Sequence, residues 1–289
     1  MQLQIRKYRS EDKQSLIDMT KDNWGGHDHL PHHIEQWGDD SKHHVFIGEL
    51  KDQVVALSIL RIMDEGKTGW MEGLRVHPEH RGKGFASQMS TKLIQTGREL
   101  GVERFRLTLA QHNEASSAIA TKLGLRPIVT NLALWLDPKN ITNDILNAED
   151  DFQNISAKEL LEMKSVKKLI PKNVLIRHWY AYDLSESNLP NIAHDSFTIA
   201  VREKQISALI HHFSIKDTYG PALCVGLYCI DEQAFCSGLS YVFSNLEIGI
   251  FSTILLIYEK RFHRVFNMFH WFEDEEHGIE LVLYERDIE

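Results

Sequence analysis

Glu72-Gly73-Leu74-Arg75-Val76-His77-Pro78-Glu79-His80-Arg81-Gly82-Lys83-Gly84-Phe85-Ala86 is the stretch that decides the reading of this chain. Apolar positions up to Val76 predict a strand, and Gly82 and Gly84 predict a tight loop. Ala86, Met89, Leu93, Ile94, Gly97 and Leu100 then recur at the spacing of an amphipathic helix, which Gly101 ends. Such a loop suits a pyrophosphate: backbone N–H groups converge at the positive end of the helix, and glycines let the backbone come close. Arg81 and Lys83 add charge. In isolation a Gly-x-Gly is an ordinary polar turn; the strand before it and the helix after it favour the phosphate loop.

The 289 residues suit two domains of ordinary size, with 43% hydrophobic and 25% charged content giving ample core. No uncharged run approaches the ~20 residues of a membrane span, and the first residues lack the apolar stretch of a signal peptide. Three cysteines, Cys224, Cys229 and Cys236, match no zinc spacing and argue for a reducing, cytoplasmic setting. The net charge of −9 argues against general affinity for nucleic acid or anionic membrane. An anionic ligand then needs a local basic patch, which Arg75, His77, His80, Arg81 and Lys83 supply. His27, His29, His32 and His33 cluster, and 43–44 and 211–212 are histidine pairs, without a convergent carboxylate or cysteine. A solvated loop is favoured over a metal site, and no metal is expected.

Outward from the loop, a strand is expected at 3–8, then a helix capped by Ser10 and bearing Leu16, Ile17 and Met19. A short helix through Ile34 and Trp37 follows, then a hairpin of 45–50 and 54–63. Beyond the loop helix come a strand at 105–109, a helix from about 115 to Gly124, and closing strands within 125–136. This β-α-α-β-β-β-α-β-α-β order fills residues 1–138. A polar connection, 139–172, has helical character over 157–168. Strands are then expected over 174–184, 197–202, 206–215, 222–230, 254–258 and 279–284, with a helix over 235–246. Residues 72–76 line up with 225–229, and 85–89 with 235–239. The second copy of the loop, 230–234, has neither glycine and carries Asp231 and Glu232, so 173–289 reads as a degenerate repeat.

Arg81, Gly84 and Ala86 fit the Arg/Gln-x-x-Gly-x-Gly/Ala signature of the GNAT superfamily of N-acetyltransferases, which the chain resembles. The resemblance implies an α+β acetyltransferase fold with a mixed central sheet over 1–138, followed by a degenerate α+β copy. It implies acetyl-CoA as cosubstrate, Glu72 as the base that takes the amine's proton, and the Val76 amide as support for the oxyanion. It further implies that Leu74 and Val76 pair with the pantetheine arm, that Arg81, Gly82, Lys83, Gly84, Phe85 and Ala86 hold the pyrophosphate, and that Asn113 touches the cofactor arm. Taken alone, Glu72 reads equally well as an exposed strand carboxylate. An ideal strand puts Glu72, Leu74 and Val76 on one face, unless a bulge intervenes. The tyrosine that many members use to protonate the departing thiolate is replaced by Ala120, four residues before Gly124.

Residues 25–31, Asp64-Glu65-Gly66, 71–76 and the long C-terminal extension sharpen the resemblance to the histidine N-acetyltransferases, over most of 10–110. The implied acceptor is the α-amine of L-histidine. Trp24 and Asp28 would meet the imidazole by stacking and a charge-assisted hydrogen bond, and Arg75 the carboxylate. Each also reads as core Trp, turn Asp and surface Arg. Alternatives are another amino acid or a peptide N-terminus as acceptor, and a non-catalytic acetyl-CoA sensor. Oligomeric state is left open.

Overall fold

Alternating side chains over 4–7 form an edge strand, β1 (Gln4–Lys7), and the chain then enters helices α1 (Lys13–Thr20) and α2 (Leu30–Asp39). In the computed structural model, which describes residues 2–21, 23, 28, 30–141, 150–217, 220–269, 271 and 278–288, the chain divides into two units. The first comprises 1–107, 114–126 and 284–289, and the second 108–113 and 127–283.

In the first unit, β2 (His43–Leu50) and β3 (Gln53–Met63) form the expected hairpin, turned by Lys51 and Asp52 at positive φ. β4 (Thr68–Val76), α3 (Phe85–Glu99), β5 (Arg104–Ala110) and α4 (Glu114–Lys122) follow. Strands run in the order β1-β2-β3-β4-β5, antiparallel except for β4 and β5, which are parallel. Leu16 and Met19 of α1 and Leu30 and Ile34 of α2 pack on Val45, Ile47, Leu57 and Ile59, one face of the sheet. Met89 of α3 meets the other face, around Gly48 and Ala56. Ser10 does not cap α1: a 3-10 turn over Ser10–Asp12 precedes the helix. The Asp12 carboxylate takes the Arg9 amide at 2.8 Å and the Arg6 guanidinium at 2.6 and 2.7 Å.

The second unit holds β6 (Arg126–Leu136), β7 (Asp151–Ile155), α5 (Ala157–Glu162), α6 (Lys164–Lys167), β8 (Val174–Arg177), β9 (Tyr180–Asp183) and α7 (Leu189–Ile192). It continues through β10 (Ser196–Arg202), β11 (Gln205–Asp217), β12 (Gly220–Cys229), α8 (Glu232–Asn245), β13 (Thr253–Glu259), α9 (His263–Phe266) and most of β14 (Gly278–Asp287). Strand order is β6-β13-β12-β11-β10-β7, with β12 and β13 the parallel neighbours. Phe235, Leu239, Val242 and Phe243 of α8 pack with Leu134, Leu223, Val225 and Leu256, and Phe262, Phe266 and Trp271 join them as core. The stretch 174–184, expected as one strand, is a two-stranded hairpin. His178 takes a φ of 59° in its turn, where no Gly or Asn announces the reversal. The polar connection supplies β7, which pairs with β10, and α5, which opens on a Ser156–Glu159 capping box.

A linear boundary at residue 138 does not divide these units. β6 pairs with β13 from Asn131↔Glu259 to Leu136↔Ile254 and groups with the second unit. Residues 284–289 group with the first. There the Arg106 guanidinium, 3% exposed, meets Glu285 at 2.6 Å, Arg286 Nη1 donates to the Leu123 carbonyl at 2.5 Å, and the Ile288 amide to Glu103 at 2.8 Å. Among the described residues no helix is long and apolar enough to cross a membrane, and the three cysteines are free.

A fragment ending at residue 138 lacks these partners and is expected to melt without a cooperative transition. In the full chain, Glu285→Ala strands a buried guanidinium. The cost should be about 2 kcal/mol, because Asp64 remains 3.9 Å from Arg106. Urea melts check this, and an unchanged midpoint would refute it.

A second prediction concerns pH. His211 is buried, stacks on Phe197 (4.9 Å, 10°), and has Nε2 2.8 Å from Asp195, which also takes the Arg177 fork at 2.8 and 3.0 Å. Burial outweighs Asp195 and pushes the imidazole's pKa down, as it does for His43, His44 and His212. Below about pH 6.5 the unfolded chain therefore binds more protons than the folded one. This contribution is intact above that pH and lost as pH falls toward the lowered values. Urea midpoints should be lower at pH 5.5 than at 7.5, with a flatter slope in His211→Gln.

Candidate functional site

The β4 strand carries a bulge. Arg75 stands opposite Leu57 and Glu72 opposite Ile59, so β4 has one residue more than β3 across this stretch. Gly73 makes it possible with a φ of +68°, and a Cβ there would come within 2.7 Å of Ile59 Cδ1. Cross-strand partners share a face, as do Leu57 and Ile59, so Glu72 and Arg75 both lie on the α1–α2 face. The strict alternation that would put Glu72 with Leu74 and Val76 is thereby reset.

The His77 amide donates to the Val55 carbonyl at 2.9 Å, which makes the flanking Ala56–Val76 pair a non-hydrogen-bonded one. The Val76 N–H and carbonyl therefore point to the other edge of β4, where the carbonyl accepts from Arg81 Nε at 3.3 Å. The Leu74 carbonyl accepts from Arg75 Nη1 at 3.1 Å. On that edge, pairing between β4 and β5 covers Thr68–Trp70 against Arg104–Arg106 and stops. The rest of β4 is left with an open edge.

That edge leads into the glycine loop. Gly82 and Gly84 have φ of +75° and +78°, and a Cβ on either would meet nothing within 4 Å. Gly84 is the N-cap of α3, whose first turn has no acid and no side-chain cap, so no side chain of the cap takes up the helix's first N–H groups. The Phe85 side chain is 1% exposed and anchors the helix, leaving its backbone to serve the loop. Arg81 also reaches Asn23 Oδ1 at 3.3 Å, and Lys83 Nζ folds back on the Glu79 carbonyl at 2.8 Å. An anion fits this set of donors.

Glu72 does not stand alone on its face. Its Oε1 lies 3.7 Å from His43 Nε2, and His43 Nδ1 lies 2.8 Å from Asp40 Oδ2. The imidazole between the two carboxylates is the most buried of the three side chains, 5% exposed against 16% at Glu72 and 40% at Asp40. Trp37 of α2 stacks on the imidazole, 5.8 Å between centroids and 16° between planes. Burial pushes the His43 pKa down, so the ring is neutral near pH 7. Sequence reasoning missed His43, which stood out only as one of a pair of histidines. Its nearness to Glu72 comes from strand register, which no local pattern carries.

Asp28 and Arg75 are brought together, with Arg75 Nε and Nη2 donating to Asp28 at 2.8 and 3.2 Å. Asn23 and the Leu30 amide also donate to Asp28, each at 3.1 Å. These four bonds fill the carboxylate's acceptor sites, so Asp28 has none left for an acceptor's imidazole. Burial pushes its pKa up, but the Arg75 pair and the other donors outweigh it and hold the carboxyl below its ordinary range. Trp24, His27 and His29 lie outside the described residues. Ala120 is 1% exposed within α4 and offers no proton. Asn113 directly precedes α4 and groups with the second unit, its amide donating to the Ala110 carbonyl at 2.9 Å. Among the described residues no group of three or more His, Cys, Asp or Glu is placed to hold a metal ion.

The corresponding elements of the second unit are closed. β12 and β13 pair without a break from Ala222↔Thr253 to Leu227↔Tyr258. Asp231 caps α8, accepting from the Ala234 amide at 2.8 Å, and Glu232 lies in the first turn. Among the described residues, these elements leave neither an open edge between β12 and β13 nor an uncapped α8 terminus for an anion.

Residues 9–125 match the model of the Acetyltransferase (GNAT) family. The chain is 27% identical over 207 residues to a histidine N-acetyltransferase of Oreochromis niloticus and 25% to one of Scomber australasicus. Each match covers 65% of this chain and 61% of the relative, so the chain spans about three fifths of the length of these curated relatives. Among solved structures, a tandem GNAT protein from the clavulanic acid biosynthesis pathway is similar in fold, with a TM-score of 0.57 at 12% identity. That likeness covers 99% of this chain and 98% of that one, so the similarity of fold extends beyond residues 9–125 to the second unit. Over residues 9–125, on an α+β fold like that of a tandem GNAT protein, the chain is similar to the GNAT acetyltransferase family, histidine N-acetyltransferases among its relatives.

Proposed function

We propose that this chain transfers acetyl from acetyl-CoA to the primary amine of a small acceptor by direct attack in a ternary complex, with the α-amine of L-histidine as the leading acceptor. The observation that carries the reading is the Val76 N–H on the open edge of β4, directly before a glycine loop that opens onto an uncapped helix. In this reading the Leu74 and Val76 backbone pairs with the pantetheine arm, and residues 81–86 hold the pyrophosphate. Asn113 remains a proposed contact to the arm.

Glu72 takes the ammonium proton, freeing the nitrogen lone pair to attack the thioester carbonyl. The Val76 N–H supports the oxyanion that forms. The carbon–sulfur bond then breaks, and the nitrogen sheds its second proton to water as the amide forms on the acceptor. The CoA thiolate takes a proton from water, because Ala120 has none to give, and Glu72 returns its proton to solvent. Asp28 is assigned to orient Arg75, and Arg75 to meet an acceptor carboxylate; Trp24 remains a candidate for the imidazole. The histidine assignment rests on the similarity to the two fish enzymes, which covers part of their length. Three free cysteines suit the cytoplasmic setting proposed with it.

Two substitutions test the site. Glu72→Gln should lower turnover about 10²- to 10⁴-fold while leaving acetyl-CoA affinity near its original value. Gly84→Glu should abolish acetyl-CoA binding, because it strains a positive φ and puts an acid at the helix terminus. Equal, mild effects from both would overturn the placement. For the acceptor, CoA release is measured across the twenty amino acids, small polyamines and short peptides, with histidine expected to give the highest kcat/KM. A response to peptides alone removes the histidine proposal. Acetyl-CoA binding without turnover on any amine points instead to a sensor.

A further inference from the structure

We propose that His43 is a positioning residue for Glu72: its Nε2 accepts a hydrogen bond from the Glu72 carboxyl once that carboxyl has taken up the acceptor's proton. This rests on the reading of Glu72 as the base. The Nδ1–H of the neutral ring donates to Asp40 at 2.8 Å, which leaves Nε2 as a lone-pair acceptor, and the Trp37 stack fixes the plane of the ring. Nε2 is buried and has no hydrogen-bond partner among the described residues. While Glu72 is ionised, two acceptors face each other across 3.7 Å and no hydrogen bond forms. When Glu72 gains a proton, the same pair becomes a donor and an acceptor.

The bond thus exists only with the neutral carboxyl. An interaction confined to one protonation state shifts the pKa toward that state, here upward, and makes Glu72 a stronger base. It also belongs to the reacting complex rather than to the resting enzyme, which is where binding energy accelerates a reaction. The charged and titratable groups around the ring divide in their effect. Asp40, at the end of α2, favours the imidazolium, while Arg61 of β3 and His44 of β2 join burial in opposing it. Glu72 faces the ring from β4.

The test uses the full chain with acetyl-CoA and the best acceptor of the amine panel. His43→Phe keeps a ring for Trp37 but removes both nitrogens, and should lower kcat about tenfold, the worth of one hydrogen bond. The acceptor KM should stay within about twofold, and the acidic limb of the kcat/KM–pH profile should move about one unit lower. His43→Gln, whose amide oxygen can accept, should recover most of kcat. Asp40→Ala, which frees the tautomer, should move the limb the same way by less. An unmoved limb in His43→Phe overturns the proposal, whether or not kcat falls. If that variant fails to fold in a thermal melt, an unmoved limb in Asp40→Ala does so instead. Neither result touches the base itself, which fails only if Glu72→Gln retains full turnover.

Discussion

Between Glu72 and Arg75, β4 carries one residue more than the facing stretch of β3, and the alternation of its side chains is reset there. The two charged side chains turn to the face covered by α1 and α2, while the Val76 amide is left on the edge where β5 has parted from β4. A carboxylate and an amide four positions apart thus flank an opening without competing for one side of a regular strand. Gly73 permits this: its left-handed φ is costly for other residues, and the Ile59 side chain leaves no room for a Cβ.

Much of this was legible in the residues. The Gly82 and Gly84 loop, the helix after it and the order of elements through residue 124 follow from periodicity and punctuation, because those signals are local. The contrast between the two loops was also legible, since Gly82 and Gly84 in one and Asp231 and Glu232 in the other are matters of composition. What escaped was carried by pairing. The His43–Glu72 contact depends on two strands meeting across a third, and the Asp28–Arg75 pair joins residues 47 apart. The turn at His178 and the cap of α1 escaped for another reason: a tertiary setting overrode local preference.

The two helix N-termini make an electrostatic contrast. Both α3 and α8 follow the inner parallel strand of their unit. At α3 the cap is glycine, the first turn is free of acids, and Arg81 and Lys83 stand beside it. At α8 the aspartate at the cap already satisfies the terminus from within, and Arg202 in turn neutralises that aspartate at 2.5 Å. The fold is alike in the two places, while the sign of the charge at the helix end differs.

The ion pair between Arg106 and Glu285 spans 179 residues of sequence. At ordinary elongation rates of about 5–20 residues per second, roughly ten to forty seconds separate synthesis of one partner from the other. Throughout that interval the first unit exists without the strand end that neutralises its buried guanidinium. Most of the first unit is therefore made early on the ribosome and finished late. A nascent chain stalled anywhere before residue 285 lacks the carboxylate that meets the buried Arg106 guanidinium.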